Sequence, residues 1–252
     1  GRKRFAHPTR LFAEWWGAFD AKKLSVGDTL TQLEPRDLEK LSFEERKMFA
    51  AWLKAELEDV GLGKDGNWDD LKHLILATTM TAGLLRVSEA IPKPGCTEHV
   101  PMHRDDLKFV WNEDGSLKRA ETKMKPLKKR RDTGKATIPI AASAGNVRAA
   151  FWLWILSALQ PVEEERKSEM LLFGNFEWER SKPGQIYCQD KFRKWYQAKM
   201  EASGIKHCKH YNTHSFRIGG ATALLAAGCT IEMIKAMGRW ESDVAEIYMR
   251  PT

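Results

Sequence analysis

No apolar run in the chain approaches the roughly 18 residues that a membrane-spanning helix needs, and no glycine-rich nucleotide-binding loop appears. A membrane protein and a nucleotide-driven enzyme are both disfavoured. Cysteine is scarce and scattered, at Cys96, Cys188, Cys208 and Cys229. With no signal peptide ahead of Gly1, reduced thiols inside a cell are expected rather than disulfides. Cys96, His99 and His103 form one possible metal set, and His207, Cys208 and His210 another. Neither holds the four ligands of a closed zinc site, so no metal is expected. What is there is a chain of 252 residues, 42% hydrophobic and 30% charged, enough for a full core in one or two domains. A net charge of +7 and a pI near 9.2 suit a polyanionic partner, although many proteins without one share that balance.

Gly1-Arg-Lys-Arg is a basic start that fits a nucleic-acid arm, a localisation signal or a solvated end. Leu11, Phe12, Trp15, Trp16 and Phe19 recur at helical spacing and predict an amphipathic helix over residues 9–21, its aromatics serving as packing. Ser42-Phe-Glu-Glu45 is a capping box. It opens a helix to about Val60 with Phe43, Phe49, Trp52, Leu53 and Leu57 on one stripe. The glycines of residues 61–67 interrupt two helices and suggest a boundary, separating an N-terminal helical segment (1–62) from a larger domain (63–252). Asp69 and Asp70 favour the start of a helix that runs to Gly83. Pro92, Pro94, Gly95 and Pro101 make residues 91–102 a loop.

Leu107 to Trp111 alternates as a strand, Asn112 to Gly115 is a turn, and Leu117 to about Lys123 answers it. Ala136 to Ile140 adds a third strand. The chain is therefore read as mainly α with a small antiparallel three-stranded sheet. A helix is expected from Gly145 to Leu159. Another, over 187–202, carries Lys191, Arg193, Lys194 and Lys199.

The stretch from Asn212 to Arg250 carries the chemistry. His214 and Arg217 stand at i, i+3 and share one helix face, with Asn212 or Thr213 available to cap the first turn. Free N–H groups, the positive end of the dipole and an arginine fork would together hold an anion. Ala226-Ala227-Gly228 marks a helix end, Thr230 begins a second helix through Met237, and Gly238-Arg239-Trp240 turns into a last short one bearing Tyr248. Upstream, Gly83-Leu-Leu-Arg86-Val-Ser-Glu89 repeats the pairing of an arginine with a polar partner three residues on. Each residue alone has an ordinary reading: Arg86 with Glu89 as an exposed helix pair, Tyr248 and Trp240 as core aromatics.

In this order, Arg86 with Glu89, then His214-x-x-Arg217, Trp240 and Tyr248, the chain resembles the tyrosine recombinase (phage integrase) family. H-S-F-R-I-G and G-R-W-E-S-D are most similar to integrases of eukaryotic DIRS and Ngaro retrotransposons. The resemblance implies the tyrosine recombinase catalytic fold and a metal- and ATP-independent breaking and rejoining of DNA. It gives Arg86 and Arg217 the scissile phosphate, Glu89 a supporting place, His214 and Trp240 assisting roles, and Tyr248 the nucleophile. T-K-M-K-P resembles the segment that carries the family's lysine acid, which makes Lys123 the choice and Lys125 the reserve. DNA contacts are expected from Lys125, Lys128, Lys129, Arg130, Arg131, Arg193, Lys194 and Arg239. The implied partner is double-stranded DNA, with self-association into a tetramer upon it, no cofactor, and a nuclear location in a eukaryotic host. Two alternatives stay open: a type IB topoisomerase-like enzyme, and a domesticated DNA-binding module without catalysis.

Overall fold

A computed structural model describes residues 34–59, 63, 68–92, 101–124, 136–141, 148–176 and 188–240. The helix expected over 9–21, the basic residues 125–131, Cys96, His99 and Tyr248 lie outside the described residues.

The first helix, α1 (Phe43–Asp59), opens on the expected capping box. The Ser42 N–H donates to Glu45 Oε2 at 2.7 Å and the Glu45 N–H to Ser42 Oγ at 3.3 Å. Leu53 and Leu57 are fully buried, but Trp52 is 44% exposed, so the inner stripe is narrower than the sequence stripe. Trp52 leans on Phe49, ring centroids 5.4 Å apart, at the edge of the covered face.

In α2 (Asp69–Ala82) every residue from Leu71 to Met80 is buried. A turn at residues 83–86 leads into the single-turn α3 (Val87–Ala90). The sheet follows as β1 (Leu107–Trp111), β2 (Leu117–Lys123) and β3 (Thr137–Ala141), antiparallel in that spatial order. The β1–β2 turn closes through the Asn112 N–H to Ser116 O at 2.9 Å. Ala120, Ile138 and Ile140 are the buried face of the sheet, laid on α4 (Ala149–Ala158). That helix starts later than the expected Gly145, because Arg148 leaves helical geometry (φ −84°, ψ 54°) and stands as its cap. With Ala, Phe, Leu, Ile and Trp nearly all round it, α4 is a central helix rather than an amphipathic one.

One hydrophobic cluster joins Leu53 and Leu57 of α1, Ile75 of α2, Ile140 of β3, Trp154 of α4 and Phe216 downstream. Trp154 Nε1 also donates to the Arg36 carbonyl at 2.8 Å. The described part of the 1–62 segment is thus built into the same core as the residues beyond 63.

α5 (Gln189–Ala202) is fastened to the start of α2. Trp195 Nε1 donates to Asp70 Oδ1 at 2.7 Å, Lys199 Nζ reaches Asp70 Oδ2 at 3.1 Å, and Lys191 pairs with Asp69. His73 stacks on Trp195 and Phe192, at 4.8 and 5.7 Å between centroids. Lys191 and Lys199 therefore answer the acids that start α2, whereas Arg193 and Lys194 are exposed. The last two helices are α6 (His214–Ala226) and α7 (Ile231–Gly238). Among the described residues no helix is long and apolar enough to cross a membrane.

Candidate active site

The turn after α2 is built under strain. Leu84 adopts φ +49°, a left-handed conformation that costs a β-carbon-bearing residue about 1–2 kcal/mol. Full burial against Ala221 and Ile234 holds it there. The chain leaves this turn with Arg86 as the cap of α3. The Arg86 N–H donates to Glu89 Oε2 at 2.6 Å and its Nη1 to Glu89 Oε1 at 3.2 Å. Glu89 is 9% exposed and Arg86 36%, so the carboxylate is inside and the guanidinium stands at the edge.

α6 is laid against that turn by Gly220. A Cβ there would overlap the Thr81 carbonyl oxygen and sit 2.6 Å from Leu84 Cδ2, so only a bare backbone allows the approach. Asn212 caps the helix, its Oδ1 accepting from the His214 N–H at 2.9 Å, while Thr213 makes no capping bond. His214 and Arg217 follow on one face. Arg217 is fully buried, donates to the Gly238 carbonyl, and lies 4.3 Å below the Trp240 ring centroid.

Thr230 caps α7 as expected, accepting from the Met233 N–H at 3.3 Å. Beyond it Arg239 turns left-handed at φ +55°. Its Nη2 donates to Glu89 Oε2 at 2.7 Å and its Nη1 to the Met237 carbonyl at 3.1 Å. Gly238 leaves room for the Trp240 indole, since a Cβ on it would fall inside the ring.

The structure thus brings Arg86, Glu89, His214, Arg217, Arg239 and Trp240 together from two stretches far apart in sequence. Two guanidiniums, of Arg86 and Arg239, pair with the Glu89 carboxylate, and the third, of Arg217, is held by the Gly238 carbonyl under the Trp240 ring. Burial lowers the pKa of His214, and the neighbouring Arg217 and Arg86 charges lower it further, so the imidazole is neutral at neutral pH. Arg239 is likewise lowered by burial and by Arg86, against the opposing pull of Glu89. The surplus of positive charge around a neutral histidine favours an anion with oxygens for both a fork and a ring N–H.

Lys123 stands on the sheet rather than on these helices. It is exposed, at the last position of β2, with its backbone opposite Thr137. Arg193 is exposed and pairs with Asp190 at 3.0 Å. Arg239, read from sequence as a DNA contact, is 18% exposed and engaged with Glu89. Sequence reasoning missed the roles of Leu84, Gly220 and Gly238. The adjacent Gly219 and Gly220 inside a helical pattern were the one available signal, since a mid-helix glycine marks a close approach. Among the described residues, no group of three or more His, Cys, Asp or Glu is placed to hold a metal ion.

No family model matches the chain, and no curated protein matches it. Among solved structures it is similar to the XerH site-specific recombinase bound to difH substrate in a pre-cleavage complex. The TM-score is 0.50 at 15% identity, over 84% of this chain and 50% of that one. A post-cleavage complex of XerH with palindromic difH substrate gives a TM-score of 0.48 at 15% identity, over 84% and 49%. The fold is that of a tyrosine recombinase catalytic domain. The mainly helical architecture with its small antiparallel sheet is the one expected from sequence. The chain spans about half the length of the recombinase chains it matches.

Proposed function

We propose that this protein is a tyrosine recombinase, a site-specific recombinase or integrase that cleaves and rejoins double-stranded DNA through a covalent 3′-phosphotyrosine. The observation that carries the reading is the convergence of Arg86 and Glu89 with His214, Arg217 and Trp240 on one cation-rich site, in the fold of a recombinase catalytic domain. Tyr248 attacks phosphorus in line, the P–O bond to the 5′ oxygen breaks, and Lys123 supplies the proton that this oxygen takes up. Arg86 and Arg217 fork onto the non-bridging oxygens and stabilise the charge that develops there. His214 hydrogen-bonds a phosphate oxygen, and Glu89 with Arg239 sets where Arg86 lies. The phosphotyrosine keeps the energy of the broken linkage, so a second 5′-hydroxyl rejoins the strands with no nucleotide consumed. Arg217 is covered by Trp240 as arranged in the structure. Full engagement of a phosphate therefore requires the 238–240 turn to shift.

The resemblance of H-S-F-R-I-G and G-R-W-E-S-D to DIRS and Ngaro integrases adds a transposable-element origin, a nuclear site of action and a tetramer on two duplexes to the proposal. The test is covalent capture on a nicked suicide duplex. Tyr248→Phe should bind DNA as wild type does and form no adduct. Lys123→Ala should be slow on ordinary DNA and fast where sulfur replaces the bridging 5′ oxygen, because a thiolate leaves without a proton. Adduct persisting in Tyr248→Phe would remove the nucleophile from the account; sulfur rescue of Lys125→Ala alone would move the acid by two residues.

A further inference from the structure

Between the start of α1 and the sheet lies a cleft that shares no residue with the Arg86–Arg217 cluster. Arg104 is its floor, 6% exposed. Its Nη2 donates to the Leu156 carbonyl at 3.3 Å and its Nη1 to Ser157 Oγ at 3.4 Å, and its Nε has no partner. These are neutral oxygens. No carboxylate among the described residues answers the charge, and burial alone pulls the pKa down to about 9, which leaves the group protonated at neutral pH. Gln160, also 6% exposed, lines the same cleft. Its Nε2 donates to the Asn175 carbonyl at 3.2 Å. A carbonyl only accepts, so the amide orientation is set, and Oε1 is the atom left without a partner. Arg46 completes the set: Nη1 donates to the Val162 carbonyl at 3.4 Å, and a buried Nε has no partner.

Buried polar atoms in folded proteins are normally satisfied. Here two donors and one acceptor that are not belong to side chains lining one cleft, whose walls also carry Ser157, Lys167 and the apolar Leu107, Phe109 and Trp111. Asp37 and Glu39 at the rim disfavour a ligand of high negative charge. We propose that this cleft binds a carboxylate flanked by an N–H donor and an apolar side chain, the chemistry presented by the end of a peptide whose last residue is apolar. The carboxylate takes the two guanidinium N–H groups, the amide N–H donates to Gln160 Oε1, and the side chain lies on the aromatic wall. None of this rests on the strand-transfer reading.

The probe is N-acetyl-phenylalanine, titrated into the full chain and followed by NMR. Its carboxamide analogue and inorganic phosphate serve as comparisons. N-acetyl-phenylalanine should give saturable shifts, and the carboxamide should bind about tenfold more weakly or worse, as expected for losing charge-assisted bonds. Arg46→Gln, at a half-buried position that tolerates the change, should weaken binding by about the same factor. Arg104→Gln should do so where the fold is retained. The proposal is overturned by the absence of saturable shifts with the wild-type chain, by equal binding of the carboxamide, by an unaffected Arg46→Gln, or by tighter binding of phosphate.

Discussion

The two ends of α2 handle charge in opposite ways. At its start, Asp69 and Asp70 meet Lys72, Lys191, Lys199 and the Trp195 indole, and the neutral His73 is stacked among aromatic rings. At its end, Arg86 and Arg239 pair with the carboxylate of Glu89, while Arg217 lies under Trp240 and donates to the Gly238 carbonyl. Both regions are helix interfaces rich in ionisable groups, yet in the first every lysine has a carboxylate partner, while the second holds surplus cations beside a neutral histidine. Charge balance, more than the mere presence of charged residues, separates a structural seam from a place waiting for an anion.

Removing a guanidinium from the second region is the strongest way to break this comparison. Arg86→Ala and Arg217→Ala should each cut single-turnover cleavage by about 10²–10³-fold, the usual loss when one preorganised donor to a developing charge is removed. Lysine at either position should recover little, because a point charge does not fork onto two oxygens. Arg217→Ala should also lower the melting temperature, since its buried guanidinium supports Trp240, whereas the half-exposed Arg86 should leave it nearly unchanged. Near wild-type cleavage in either lysine variant would make the two ends of α2 alike.

Acidification should separate the two histidines. Unfolded, His73 takes its proton near pH 6.5, but in the fold burial holds its pKa down to about 4. Between those values the unfolded chain binds more protons, so stability falls as pH drops through that window, by on the order of 3 kcal/mol at its lower end. His214, lowered by burial and two arginines, adds to the loss in the same direction. Duplex DNA should raise the pKa of His214, because a phosphate beside it favours the imidazolium, and leave His73 unmoved. Histidine NMR titrations that move both equally would refute the distinction.

Smaller effects should come from the close approaches. Gly220→Ala drives a methyl into Thr81 and Leu84, and Gly238→Ala drives one into Trp240. Each should cost about 1–3 kcal/mol by denaturant unfolding, the range for overpacking a tight contact. Stability unchanged in both variants would show that these contacts are more pliant than their geometry.

Much of this was legible in sequence because it is local. The Ser42–Glu45 box, the Thr230 cap, the β1–β2 hairpin and the i, i+3 pairing of His214 with Arg217 are decided within a few residues. What was not legible depends on partners distant in the chain. Asp69 and Asp70 look like helix-start acids, and only the fold brings Lys191 and Lys199 to them. Arg239 looks like a surface cation, and only the packing of α7 against the turn after α2 delivers it to Glu89. Trp52 fits the α1 stripe by periodicity but falls where nothing among the described residues fully covers it. The left-handed Leu84 runs against local preference and is held by Ala221 and Ile234, which no window around Gly83 contains.

The central claim is that the arginine cluster exists to neutralise a phosphodiester that is about to be cut. The most direct measurement replaces one non-bridging oxygen at the scissile position with a methyl group, which removes the phosphate charge and leaves the leaving group unchanged. If Arg86 neutralises that charge, Arg86→Ala should form almost no covalent adduct on ordinary DNA and regain it on the methylphosphonate duplex. An Arg86→Ala protein equally impaired on both substrates would contradict the account.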